Sequence, residues 1–260
     1  MATLSKVTKV SPGDFFTFAN GALGFVAITY VLDGSYLIAT ALLFLSMVMD
    51  GLDGFFARKF GSKHSMGQVL DSISDSISFA FAPAFLLYGE LHDVASTSPT
   101  HSLWNLAVLT GAVCFLSCGL FRLARFSVSG YQLKYFVGMP APGAAMFLLI
   151  VCLLFGAEGG AEPGDLYFVV WHLPWLVLAV AFVLSYLMAS EVPYPKVRGW
   201  MAKYGAAGMV LAGPAVVAGL VIVADQPLYT ASSRTAAIIA LALMLVYSLG
   251  GPIHERLKRG

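Results

Sequence analysis

The stretch DGLDGFFARKFGSKHSMGQVLDSISD, residues 50–75, sets four aspartates and four glycines between two long apolar runs. Charge in the middle of oil is costly, so its reading decides what the chain is. Of the 260 residues 58% are hydrophobic and 11% charged, with a mean hydropathy of +0.81. Soluble domains carry about 25% charged residues, so the composition is that of an integral membrane protein. The formal net charge of +1 carries little information; where the charges stand carries more.

Outward from the aspartates, eight apolar runs of spanning length can be read, at about 15–32, 36–57, 66–88, 103–126, 141–156, 167–189, 206–223 and 232–249. Turn formers such as Asp33-Gly34, Ser98-Pro99 and Pro163-Gly164 separate them. The expected fold is therefore all-α: a polytopic helical bundle of about eight transmembrane helices in one domain, residues 1–260. No cleavable secretory signal is expected, because the first run, from near Phe15, is followed by further spans. Basic residues report orientation. Lys6, Lys9, Arg58, Lys59, Lys63, Arg122, Arg125, Lys134, Lys196, Arg198, Lys203, Arg256, Lys258 and Arg259 collect on one side, leaving only Arg234 on the other. Both termini and the 50–75 segment are thus expected at the cytoplasmic face. This charge serves orientation, and no nucleic-acid partner is expected.

Gly61 and the polar stretch that follows break the apolar pattern, so the segment reads as helix, short loop, helix. At about 100° per residue, Asp50, Asp53, Gly54 and Ala57 fall within an arc of about 100°. Gly67, Asp71, Ser74, Asp75 and Ser78 share a face of the next helix. Asp50 precedes Arg58 by eight residues, or about 12 Å along the axis, so the carboxylates lie below the membrane surface. Solvated charges at helix ends would be the plain reading, and number and depth argue against it. One ionised carboxylate at mid-bilayer costs at least about 2.5–3.5 kcal/mol. Two of them 4 Å apart repel by about 4 kcal/mol at an effective dielectric of 20. Such a group needs protons or cations. Oxygen ligands without His or Cys favour a hard divalent cation, Mg²⁺ before Mn²⁺ or Ca²⁺, and four aspartates suffice to bridge two ions. Arg58, Arg122 and Arg125 can supply positive charge to phosphates. The pattern points to metal-assisted chemistry on a phosphoanhydride.

The spacing Asp50-x2-Asp53-Gly54-x2-Ala57-Arg58-x8-Gly67-x3-Asp71-x3-Asp75 resembles the signature of the CDP-alcohol phosphatidyltransferases at every position. TFANGALGF (17–25), SFAFAPAFLLY (78–88), CGLFRLARFSV (118–128) and YFVGMPAPGAA (135–145) resemble its phosphatidylserine synthase branch. The resemblance covers residues 12–150, the expected catalytic and acceptor half, and leaves 151–260 as supporting helices. It implies that Asp50, Asp53, Asp71 and Asp75 hold a pair of divalent cations, Mg²⁺ or Mn²⁺, and that Asp75 is also the general base. It implies contacts of Asp53, Gly54, Ala57 and Gly67 with the cytidine nucleotide and of Arg58 with its diphosphate. The implied reaction is transfer of a phosphatidyl group from CDP-diacylglycerol, or an archaeal CDP-ether lipid, to the hydroxyl of L-serine, with release of CMP. It further implies a homodimer, with membrane lipid as its surroundings.

Weaker features remain. Arg122, Arg125 and Lys134 are candidates for binding the acceptor or the lipid phosphate, with helix-end snorkelling as the alternative for the two arginines. Gly138-Met139-Pro140-Ala141-Pro142 reads as a rigid turn closing over them. Asn20 reads as interhelical glue that could reach the site. Cys114, Cys118 and Cys152 read as packing residues. Two rival functions stay open at this point: the same chemistry with glycerol phosphate or inositol phosphate as acceptor, and divalent-cation transport, which also uses buried acids.

Overall fold

The computed structural model describes residues 12–60, 65–92, 101–130, 135–155, 173–195 and 238–253. Helix α1 is Pro12–Leu32, α2 Tyr36–Phe60 and α3 Ser65–Ser76. A π-helical turn, Ile77–Phe81, joins α3 to α4, Ala82–Leu91. Helix α5, His101–Arg125, runs into a second π turn, Phe126–Gly130. Strand β1 is Tyr135–Val137, α6 Ala141–Phe155, α7 Pro174–Ala189, and β2 Pro193–Pro195. The last described helix, α8, is Ile238–Ile253 and contains a third π turn, Val246–Gly250.

Among the described residues, four helical segments are long and apolar enough to cross a membrane: Gly13–Leu32, Tyr36–Gly54, Met66–Leu91 and Ser102–Val128. They coincide with the first four runs read from the sequence. The fifth run is α6, the sixth is α7 from Pro174 onward, and the eighth is α8, each shorter than the four long segments. The seventh run, 206–223, residue 156 of the fifth, residues 167–172 of the sixth and residues 232–237 of the eighth lie outside the described residues.

Helix α6 is the centre of the core. Its sequence, APGAAMFLLIVCLLF, is apolar on every side, and Phe147 through Leu154 are all buried. A helix without a polar face must be enclosed, and here α2, α4, α5 and α7 enclose it. Around it, Phe15, Phe25, Leu32, Leu103, Leu106, Trp175 and Val183 point outward, as helices facing acyl chains require.

Helix α1 lies along α2 and turns a small-residue face to α3. A Cβ added at Gly24 would stand 2.9 Å from the Ser78 Cα, and one at Gly21 would stand 3.1 Å from the Ser74 Oγ. These two glycines let the backbones approach closely. They bring the polar side chains of α1 against the aspartate helices.

The protein is mostly helical, as expected, with one short ribbon added beside the helices. Strands β1 and β2 pair antiparallel, with Tyr135 opposite Pro195, Phe136 opposite Tyr194 and Val137 opposite Pro193. Pro193 and Pro195 flank Tyr194 and keep that segment extended, since proline has no N–H for a helical ladder. Gly138 then turns the chain at φ +75°, where a Cβ would meet the Met188 carbonyl at 2.5 Å. Met139 N donates to Leu187 O at 3.0 Å, and α6 begins at Ala141. The expected rigid turn is present, and it docks on the end of α7.

Candidate active site

Asp50 and Asp53 stand three apart on α2, and Asp71 and Asp75 four apart on α3, so each pair faces the same way along its helix. One carboxylate oxygen from each of Asp50, Asp53 and Asp71 lies within 4.8 Å of the others. Asp75 stands one turn beyond Asp71 on α3. Like charges at about 4.8 Å repel by about 3.5 kcal/mol per pair at an effective dielectric of 20. The arrangement therefore requires positive charge or protons among the carboxylates. Three oxygen donors at this separation fit a hard divalent cation, and nothing softer is offered.

Neutral donors on α1 hold two of these carboxylates. The Thr17 hydroxyl donates to Asp53 Oδ2 at 2.7 Å. The Asn20 amide donates from Nδ2 to Asp75 Oδ1 at 3.1 Å. Asn20 is fully buried, and its backbone carbonyl accepts from the Ser78 hydroxyl at 2.8 Å. Its Oδ1 has no hydrogen-bond partner among the described residues, so the amide keeps an acceptor available beside Asp75. Residues Thr17 and Asn20 are three apart on one helix, so one rigid element sets both carboxylates. Asn20 is thus more than interhelical glue. The motif TFAN already carried this signal, two polar residues at i and i+3 in an apolar run, and Thr17 was the one overlooked.

The expected nucleotide residues are brought to the same end. Gly54 follows Asp53 on α2, and Gly67 precedes Asp71 by one turn on α3; both are half-buried. Phe56 stacks on Phe16, ring centroids 4.8 Å apart and planes 10° apart, fixing α1 to α2 here. The side chains of Ala57 and Arg58 lie outside the described residues, as does Lys134 altogether.

The two arginines of α5 part company. Arg125 Nη1 donates to Ser190 O at 2.8 Å and Nη2 to Ala189 O at 2.6 Å, so its guanidinium caps α7. These carbonyls end a helix and lack intrahelical donors, and a cation is well placed there. Arg122 instead is buried, 5.0 Å from the centre of the Phe126 ring and 5.4 Å from that of Phe136. Tyr247 belongs to α8, and its ring lies 5.7 Å from that of Tyr194 on β2. Burial pushes the Tyr194 hydroxyl up to about 12, so it stays a donor at neutral pH, and it bonds Ser248 O at 3.2 Å. Nothing in the one-dimensional pattern pointed to Tyr194 or Tyr247.

Comparison with known proteins decides the family. The CDP-alcohol phosphatidyltransferase model matches residues 12–187. This chain belongs to that family. Among relatives, a CDP-diacylglycerol–serine O-phosphatidyltransferase of Methanocaldococcus jannaschii is 34% identical over 75% of this chain and 78% of its own length. An archaetidylserine synthase of Methanothermobacter thermautotrophicus is 31% identical over 75% of this chain and 74% of its own length. A CDP-diacylglycerol–serine O-phosphatidyltransferase of Bacillus subtilis is 30% identical over 69% of this chain and 86% of its own length. The phosphatidyltransferase is thus an enzyme of phospholipid biosynthesis carrying apolar helices of membrane-spanning length. Its family match ends at residue 187, two residues before the end of α7, so β2 and α8 lie beyond it.

Proposed function

We propose that the enzyme transfers the phosphatidyl group of a CDP-linked lipid, with ester or ether chains, to the hydroxyl of L-serine. The observation that carries this reading is the division of the four aspartates. Asp50, Asp53 and Asp71 converge, while Asp75 is held to one side by Asn20. Names carried by the relatives support serine as the acceptor.

In this reading Asp50, Asp53 and Asp71 hold two divalent cations, Mg²⁺ or Mn²⁺, with Asp75 as a further ligand. When bound, the cations supply positive charge to the diphosphate and to CMP as it leaves. Gly54, Ala57 and Gly67 leave room for the cytidine nucleotide, with Asp53 and Arg58 also contacting it. Asp75 takes the proton of the serine hydroxyl as that oxygen attacks the β-phosphorus, the one attached to the lipid. The bond from this phosphorus to the bridging oxygen breaks, and CMP keeps the electron pair. Asn20 turns Asp75 so that one carboxylate oxygen is bonded and the other faces the acceptor. Thr17 does the same for Asp53 toward the nucleotide. Of the three basic residues expected on the acceptor or lipid-phosphate side, Arg125 is engaged at α7 and Lys134 lies outside the described residues. Arg122 is the one we assign there.

The rest of the reading follows from the sequence pattern. One membrane domain of about eight spans has both termini and the aspartates at the cytoplasmic face, by the distribution of Lys and Arg. Residues 12–150 carry the chemistry and 151–260 support it, in a homodimer. Lipid tails enter from the bilayer while serine enters from the cytoplasm.

The test follows CMP release by purified protein in detergent, with CDP-diacylglycerol, Mg²⁺ or Mn²⁺, and separate acceptors. The expected result is serine-dependent release that is lost with a chelator and in Asp75→Asn. Release only with glycerol phosphate or inositol phosphate would overturn serine as the acceptor. Failure to release CMP with every acceptor, by protein that still binds divalent metal, would favour cation transport.

A further inference from the structure

We infer that Ser78, the buried hydroxyl of the π turn that follows Asp75, is a positioning residue for the proposed general base: it fixes the main chain of Asn20, whose side chain turns Asp75. The inference rests on the proposed function and names what holds its proton acceptor in place. Its starting point is the direction of one hydroxyl. A serine within a helix ordinarily bonds back to the carbonyl one turn earlier in its own helix. Ser72, Ser76, Ser127 and Ser185 do so, on the carbonyls of Gln68, Ser72, Leu123 and Ala181. Ser78 instead donates across to α1, to Asn20 O at 2.8 Å. That carbonyl lies inside α1, where the helical ladder supplies it with the Gly24 N–H, so it takes Ser78 on its second lone pair. The bond is therefore not needed to satisfy α1. What it adds is a fixed register between α1 and the aspartate helix.

Asn20 is thus gripped twice by one stretch of chain. Asp75 accepts from its Nδ2 at 3.1 Å, and Ser78, three residues further along, holds its main chain. Asn20 and Ser78 are both fully buried, so water does not compete for either bond. A side-chain amide passes any shift of its own main chain to the group it bonds. At 3.1 Å the bond to Asp75 is already near the long end of the range for N–H···O, so a displacement of a few tenths of an ångström would break it.

The π turn gives Ser78 this reach. Over Ile77–Phe81 the ladder steps to five residues, with Ala82 N bonded to Ile77 O. The phase of the helix shifts there by about one residue, or about 100°. The face that carries Asp71, Asp75 and Ser78 gives way at this point, and α4 turns Leu86 and Leu87 to the core. Two glycines clasp the turn. A Cβ at Gly24 of α1 would stand 2.5 Å from the Ser78 Oγ, and one at Gly119 of α5 would stand 3.1 Å from the Ala80 Cβ. The glycine whose N–H shares the Asn20 carbonyl is thus the one that makes room for Ser78. Helix α1 is tied to α2 separately, by Thr17 on Asp53 and by Phe16 on Phe56. Loss of the Ser78 hydroxyl should therefore reach Asp75 and leave the metal-facing aspartates in place.

The test is a double-mutant cycle in CMP release by full-length protein with CDP-diacylglycerol, L-serine and Mg²⁺. Ser78→Ala is measured alone and in an Asn20→Ala background, where the main chain remains and no amide is left to position. The expected result for Ser78→Ala alone is a fall in kcat of about 3- to 10-fold, the effect of one buried neutral hydrogen bond. The KM for serine, the KM for the lipid and the Mg²⁺ concentration giving half-maximal rate should each stay within about twofold. In the Asn20→Ala background the same change should cost less than about 1.5-fold in kcat, while it lowers Tm equally in both. A merely structural role would not produce that contrast. Ser78→Cys, of similar size and a weaker donor, should fall between, and it carries the cycle should Ser78→Ala not fold. Equal losses of kcat in both backgrounds would make Ser78 structural and overturn the inference. So would an unchanged kcat in Ser78→Ala, or a loss expressed in the serine or lipid KM. Release only with another acceptor would sink serine, and the cycle run with that acceptor would still decide on Ser78. Absence of release by the unaltered enzyme with any acceptor would instead sink the proposed function itself, so the two failures are distinguishable.

Discussion

Asn20 offers the sharpest test of how the site is held. Its Nδ2 donates to Asp75 Oδ1 over 3.1 Å in a fully buried setting. A hydrogen bond to a charged group contributes about 1.5–3 kcal/mol. If the bond serves to orient Asp75 for proton transfer, Asn20→Ala should lower kcat by roughly 10- to 150-fold at about 1.4 kcal/mol per decade. Asn20→Asp keeps the shape and replaces the donor by an acceptor. Two carboxylates at this distance repel by about 5 kcal/mol at an effective dielectric of 20, so the isosteric change should be the more damaging of the two. The assay is CMP release at saturating serine and lipid, with a divalent-metal titration in parallel to show that Asp50, Asp53 and Asp71 still bind. An Ala variant within threefold of the unaltered enzyme, or an Asp variant more active than the Ala variant, would refute the orienting role.

Two further predictions probe the frame around the site. Gly24→Ala places a Cβ 2.9 Å from the Ser78 Cα, whereas Gly21→Ala meets the Ser74 Oγ, a side-chain atom, at 3.1 Å. The first should cost about 1–3 kcal/mol of overpacking and lower both Tm and kcat, since α1 carries Thr17 and Asn20; the second should be milder. Thermal unfolding and CMP release on both variants check the order. Arg125→Ala removes the two bonds to Ala189 O and Ser190 O. It should cost about 1.5–3 kcal/mol in stability while the serine KM of the folded fraction stays unchanged.

The aspartate site was legible in the sequence because chemistry there overrides the local background. Four carboxylates in an apolar run have no packing explanation, and their spacing on two helices places them on facing sides before any fold is known. The first four spans were legible for a similar reason, since length and hydropathy suffice to read them. What escaped was set by long-range contact. Thr17 looks like an ordinary helix residue until α1 is laid against α2. The ribbon of Tyr135–Val137 and Pro193–Pro195 is too short for an alternation to register, and its pairing joins segments more than fifty residues apart. Arg122 and Arg125 read alike as helix-end cations. Only the position of α7 makes one a cap and leaves the other buried among aromatic rings.

The two side chains of α1 that touch the aspartates share a property: they are neutral. Thr17 and Asn20 donate single hydrogen bonds, and Asn20 is backed by Ser78. A lysine or arginine in either place would neutralise a carboxylate more fully, and for a merely structural acid it would be the better partner. In a site that must attract divalent cations such a partner would be self-defeating, because it would cancel the negative charge that draws the metal. Neutral donors fix the direction of a carboxylate while leaving its charge for the ligand. In the proposed reaction the charge left on Asp50, Asp53 and Asp71 would draw the metals, and Asp75, turned by Asn20, would take the proton.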